Sequence, residues 1–163
     1  MVIVGIDPGI AIVGYSAVDY TGNSFKLIEY GTIETPAGLP LTKRLGTIYV
    51  KMNDLLLRHR PSVVAVEQLF WGRNVTTGIN VAHARGVILL CAGQLGIGVS
   101  EYTPLQIKQA VAGHGRADKK QIQSMMKLLL NLSEVPKPDD AADAIAVAIC
   151  CAHNYNYEKL ENL

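Results

Sequence analysis

The chain has 163 residues, with 15 Lys and Arg against 14 Asp and Glu, and a formal net charge of +1. That length favours one domain with a single core, and 49% hydrophobic with 18% charged residues excludes a disordered chain or a highly charged coiled coil. Near-neutrality gives no support to a polyanion binder held by global charge, and 3 cysteines with 4 scattered histidines form neither a disulfide framework nor a zinc pattern.

Met1 to Ile6 opens directly into an apolar run, with no basic region or cleavage-site pattern. No apolar run reaches the ~18 residues that a membrane helix needs. The expectation is a soluble, cytoplasmic protein with no membrane partner, its thiols Cys91, Cys150 and Cys151 free and buried.

Val2–Asp7 reads as a strand ending in a carboxylate, followed by a Pro8-Gly9 turn. Residues 12–18 and 25–34 read as two more strands, with a turn signal at 20–24 between them, and connections this short favour an antiparallel meander. After a Pro/Gly loop, Leu41, Leu45, Ile48, Met52, Leu55 and Leu56 recur at helical spacing. Residues 63–66 are a Val-rich run ending in Glu67, apolar enough for a strand covered on both faces. A loop with Phe70, Trp71 and Arg73 follows, its aromatics suited either to stacking on unpaired bases or to packing as core.

Residues 76–96 read as a long helix in which Ala82 and Gly86 would permit close backbone approach, with more apolar surface than one core face needs. Residues 99–102 form a strand and Pro104–Ala112 a short helix. Asp118 is placed to N-cap the next helix, with Gln121 completing a capping box and Ile122, Met125, Met126, Leu129 and Leu130 as its apolar stripe. Asp139 is placed to cap a final helix running to about Cys151, and residues 154–163 read as a polar tail. The order is three strands, helix, strand, helix, strand, then helices. This is an α/β chain that joins an antiparallel hairpin set to parallel crossovers.

Asp7 and Glu67 both end apolar strands, where the ligand crevice of an open α/β sheet lies. Either alone could simply mark where a strand meets solvent. The final helix is harder to explain that way. Capping accounts for one aspartate, not for Asp139, Asp140 and Asp143 together. Asp140 and Asp143 share a face, and Asp143 lies in an almost wholly apolar stretch with no cation within one helical turn. A buried carboxylate of that kind needs a partner or a metal.

Four carboxylates from two strand ends and one helix start suit a hard cation, magnesium or manganese rather than zinc. Two ions roughly 4 Å apart are the usual arrangement for in-line phosphodiester displacement. Basic residues supply the next link. Residues 104–127 hold Lys108, Arg116, Lys119, Lys120 and Lys127 against Asp118 alone, five cations to one anion. Lys119 and Lys120 sit where the helix dipole opposes cations, an arrangement that a bound phosphate would reverse. A solvated lysine face is the plainer alternative. Without the four proposed ligands the formal charge of +1 would be +5. The balance therefore reads as a basic surface offset by an acidic metal site, with affinity for a polyanion that weakens as salt rises.

Five segments in order, Gly5-Ile6-Asp7-Pro8-Gly9, Val66-Glu67-Gln68-Leu69-Phe70, Ala84-Arg85-Gly86, Thr103-Pro104-Leu105-Gln106-Ile107-Lys108 and Asp140-Ala141-Ala142-Asp143-Ala144, carry a family pattern. Together they resemble the RuvC family of bacterial Holliday-junction resolvases, from Val2 to about His153. The resemblance implies a ribonuclease H-like fold over residues 1–153: a mixed five-stranded sheet, an antiparallel three-strand meander plus parallel strands, flanked by helices. It implies that Asp7, Glu67, Asp140 and Asp143 are catalytic metal ligands for Mg2+ or Mn2+, two ions per site. Lys108 and Lys119 would stabilise the transition-state phosphate, and Phe70 would engage bases near the junction centre. Arg73, Arg116 and Lys120 are the further DNA-binding candidates.

A homodimer nicking symmetric strands of a four-way DNA junction, with 5′-phosphate ends and a link to the RuvA–RuvB branch-migration complex, is the implied activity. Asp139 is an additional acid beside the pair, which leaves Asp139 and Asp140 as alternatives for one ligand position. Three rival readings are an RNA-processing nuclease of the YqgF type, an actin or sugar-kinase type ATPase, and a non-catalytic junction-binding module. The chain is too short for the ATPase.

Overall fold

Alternation along the first strand decides the architecture. In the computed structural model, which describes residues 1–69 and 75–161, β1 (Val2–Asp7) lies at the centre of a five-stranded sheet. Successive side chains of a strand point to opposite faces, so Val4 and Ile6 enter one core while Ile3, Gly5 and Asp7 share the other face. β2 (Ile12–Thr21) pairs antiparallel with β1, and β3 (Ser24–Glu34) antiparallel with β2. β4 (Val63–Glu67) runs parallel to β1, and β5 (Gly98–Tyr102) parallel to β4. The order β3-β2-β1-β4-β5 is the expected meander joined to parallel crossovers.

The hairpin joining β2 and β3 is tighter than its turn signal suggests. β2 runs on to Thr21, and Gly22 and Asn23 alone make the connection, at φ 57° and 63°. A two-residue hairpin loop of this kind needs positive φ at both positions, which Gly and Asn tolerate best. Asp19, Tyr20 and Thr21 thus stay in the ladder with Lys26, Phe25 and Ser24.

Helices cover both faces. α1 (Leu41–His59) and α2 (Val75–Gln94) bury Ile48, Met52, Leu55, Leu56, Ala84, Ile88 and Cys91 against Val4, Ile6, Val13, Val64 and Val66. On the other face α5 (Asp139–Glu161) crosses β1 and β2, with α3 (Pro104–Ala112) and α4 (Lys119–Leu129) packed beside it. Ile3, Val18, Ala65 and Tyr102 join Ile107, Met126, Ile145 and Ile149 in that core. The three cysteines are buried, and none forms a disulfide among the described residues. No helix among the described residues is long and apolar enough to cross a membrane.

Close helix approach occurs in an unexpected place. A Cβ on Gly86 would meet nothing within 4 Å among the described residues, so no described element of the same chain packs against that glycine. A Cβ on Gly5 would instead overlap the Ala144 carbonyl oxygen, and one on Gly14 the Asp140 carbonyl oxygen. The buried Ser16 hydroxyl donates to the Ala144 carbonyl at 3.0 Å. Two glycines and a serine on the sheet, facing alanines on α5, seat that helix directly on the strands.

Two helix ends differ from expectation. Pro138, not Asp139, occupies the cap of α5: its carbonyl accepts from the amides of Ala141 and Ala142, and Asp139 is the first helical residue. The helix also continues beyond Cys151 to Glu161 in place of a tail from residue 154. Asn154 aids this by donating from Nδ2 to the Cys150 carbonyl at 2.8 Å, and no Gly or Pro follows to break the run. The α4 cap is as expected. Asp118 accepts from the Gln121 amide at 2.9 Å, and the Gln121 side chain accepts from the Asp118 amide at 2.9 Å. Thr103 and Gln106 form the same reciprocal box on α3, from a Thr-x-x-Gln spacing that equally marks a helix start. Asp118→Ala is expected to lower the melting temperature by roughly 2–4 °C, since such a cap contributes ~1 kcal/mol. Calorimetry of the two proteins checks it.

Candidate active site

The two strand-end carboxylates meet because their strands are parallel neighbours in register. Ile6 pairs with Val66, so Asp7 and Glu67 leave the sheet side by side, both on the face that α5 covers. Gly14 stands opposite Asp7 across the antiparallel pair. Because the Asp140 carbonyl rests on Gly14 and the Ala144 carbonyl on Gly5, the first turns of α5 lie over the end of β1. Asp140 and Asp143 are thereby brought to Asp7. All four carboxylates are half-buried.

Their electrostatics are those of like charges crowded together. Burial pushes the Asp7 carboxyl up to about 7, and Glu67, Asp143 and Asp140 push it in the same direction. Asp7 holds its proton partly by donating it to Glu67. Burial and then Asp143 raise the Glu67 carboxyl. Burial also raises Asp143, opposed by the Lys119 ammonium and reinforced by Asp139 and Asp140. Among the described residues no three such groups already converge as a closed ligand cage. An all-oxygen donor set in which Asp7, Glu67 and Asp143 are raised by burial and by crowded negative charge fits a hard divalent cation, whose charge would offset that crowding.

A cavity of about 260 Å3 adjoins this cluster between α3, α4 and α5. Glu67 and Asp143 form one wall, Lys108, Lys119 and Gln123 the rim, and Ile107 and Met126 part of the floor. Two of the basic residues expected from the sequence, Lys108 and Lys119, therefore line the same cavity as Glu67 and Asp143. Arg116 and Lys120 are exposed and do not line it. Phe70 and Arg73 lie outside the described residues. Arg85 is turned to the opposite face, where it pairs with Glu101, and its buried Nε has no hydrogen-bond partner among the described residues.

Asp139 and Asp140 are placed differently. Asp140 acts on Asp7, whereas the Asp139 carboxylate is 63% exposed and accepts from Lys119 Nζ at 2.8 Å. That hydrogen bond, followed by the surrounding carboxylates, raises the Lys119 pKa and keeps the ammonium charged. Gly14 and Ser16, which seat α5 together with Gly5 of the first motif, and Gln123 on the rim are absent from the residues that the sequence singles out. A signal exists for the glycines: an alanine-rich helix able to approach a bare strand.

A family model described as crossover junction endodeoxyribonuclease RuvC matches residues 3–151. A crossover junction endodeoxyribonuclease RuvC of Alkaliphilus metalliredigens (strain QYMF) is 52% identical over 160 residues, covering 98% of each chain. A Thermus thermophilus RuvC structure superposes with a TM-score of 0.92 at 36% identity, covering 97% of each chain. The T. thermophilus RuvC in complex with a Holliday junction substrate gives a TM-score of 0.94 at 36% identity, over 97% of this chain and 96% of that one.

Proposed function

The chain belongs to the RuvC family of crossover junction endodeoxyribonucleases, and from that premise we propose how its residues cut a four-way DNA junction. It is a nuclease that hydrolyses phosphodiester bonds at such junctions, and its family is metal-dependent. Asp7, Glu67, Asp140 and Asp143 are the cation ligands, with Mg2+ the resident metal, Mn2+ able to substitute, and two ions per site. Bound divalent cations supply an activated water and charge compensation for the leaving 3′ oxygen. The four carboxylates hold that charge at the strand ends and, once they hold it, no longer repel each other. Lys119 and Lys108 present ammonium groups to the phosphate from across the cavity, where negative charge grows as the bond breaks. Phe70 and Arg73 meet the DNA past Glu67, and Arg116 and Lys120 extend the basic track.

The observation that carries this reading is the raised carboxyl set at one sheet edge beside two cavity-lining lysines. Cutting is symmetric and leaves 5′-phosphate nicks, which calls for two sites and hence a homodimer. Exposed Ile79 and Leu90 on α2 support such an interface. Cytoplasmic location and a link to the RuvA–RuvB complex complete the proposal, with residues 1–153 acting as one nuclease domain.

Purified protein with Mg2+ is expected to convert a synthetic four-way junction into paired nicked duplexes, with cuts mapped at symmetric positions on a sequencing gel. An intact junction after prolonged incubation, or preferential cutting of an RNA substrate, would overturn the reading.

A further inference from the structure

Three aspartates stand in the first turns of α5, and only two of them act on Asp7. The third, Asp139, turns outward and accepts a hydrogen bond from Lys119 Nζ at 2.8 Å. Lys119 is the first residue of α4, where the helix dipole opposes a cation, and Asp118 beside it is committed to the cap. The anion that Lys119 needs therefore comes from another helix. At the same time the lysine lines the cavity that Glu67 and Asp143 wall.

We propose that Asp139 is a positioning residue for Lys119, an internal stand-in for a DNA phosphate. In the DNA-free protein its carboxylate holds the ammonium at the rim of the cavity, and an entering phosphodiester takes that ammonium over. The exchange is feasible because both side chains are more than half exposed, 52% for Lys119 and 63% for Asp139. Exposed ion pairs are weak and readily traded for another anion. A phosphate oxygen offers the same acceptor chemistry as the carboxylate oxygen it displaces. Asp140 and Asp143 stay behind with Asp7, so the exchange leaves the carboxylate cluster in place. The inference rests on the nuclease reading only in taking a DNA phosphate as the incoming anion.

A double-mutant cycle tests it, using Asp139→Asn, Lys119→Met and the two substitutions together. Binding is measured by fluorescence anisotropy in metal-free buffer, to a four-way junction and to a plain duplex of the same sequence. With Lys119 present, Asp139→Asn is expected to tighten binding about 3–10-fold. In the Lys119→Met background the same substitution should change binding less than ~2-fold. The salt dependence should also steepen by about one ion for Asp139→Asn, because Lys119 then no longer trades one anion for another. Equal gains in both backgrounds would mean a general charge effect and overturn the proposal, as would no gain or an unchanged salt slope. Coupling on both DNAs without junction cleavage would sustain this inference and sink the nuclease reading. Junction cleavage without coupling would do the reverse.

Discussion

Exchanging Asp7 for asparagine is expected to stop junction cleavage while making the metal-free protein more stable at pH 8. The loss of cleavage should exceed ~100-fold, the scale on which removing one electrostatic anchor from a reacting centre is felt. The gain in stability follows from linkage. The Asp7 carboxyl moves from 3.8 to about 7 on folding, so the folded state binds its proton more tightly than the unfolded state does. The stability associated with that proton is fully present below pH 3.8, declines as pH rises, and is lost above about 7. Asparagine never carries the charge. Its advantage should be ~2–4 kcal/mol at pH 8, roughly 5–12 °C in melting temperature, and should shrink towards zero near pH 4. Scanning calorimetry in EDTA at pH 4, 6 and 8 reads this directly. Added Mg2+ should stabilise the wild type at pH 8 and do much less for the variant. Equal melting temperatures at pH 8 would mean that Asp7 is not under electrostatic stress.

The second large effect is expected at a residue with no chemistry of its own. Gly14→Ala puts a methyl group where the Asp140 carbonyl oxygen lies, and both neighbours are backbone, so no rotamer change relieves the overlap. α5 must lift from β2, at a cost of ~3 kcal/mol or more, roughly 6–12 °C in melting temperature. Because the same carbonyl belongs to Asp140, lifting the helix also separates Asp140 from Asp7. Cleavage should therefore fall further than the loss of folded protein explains, when activity is measured well below the variant's melting point. Gly46→Ala is the built-in comparison. It lies in the interior of α1, away from the α2 face proposed for the dimer, with open space around a Cβ, and should leave stability unchanged or raise it by ~0.5–1 kcal/mol. A Gly14→Ala protein as stable and active as wild type would mean that α5 is not seated as described.

Several features are legible in the residues because near neighbours along the chain decide them. Alternation makes Val2–Asp7 a strand with its carboxylate at the end. Asp118 and Gln121 lie three apart, the spacing at which a helix start closes on itself. Asp143 stands out because an apolar helix offers a carboxylate no local partner. Local arguments fail where the deciding neighbour is distant. Its place before an alanine run suggests Asp139 as a cap, yet Lys119 on another helix takes that carboxylate. Small size suggests Gly86 as a packing site, yet no described residue of the same chain approaches it.

What the sequence by itself determined is the inventory: which strands end in acid, which helix begins with three aspartates, and which segment is basic. Only the tertiary structure decided which of these groups face one another. Adjacent residues on a helix point about 100° apart, so Asp139 and Asp140 are equivalent in sequence and divergent in space. The rotation of α5 chooses between them. That rotation is set by Gly5, Gly14 and Ser16, far away along the chain, whose lack of bulk and single hydroxyl let the helix settle in one orientation on the sheet. One aspartate is thereby turned to Asp7 and its neighbour to Lys119.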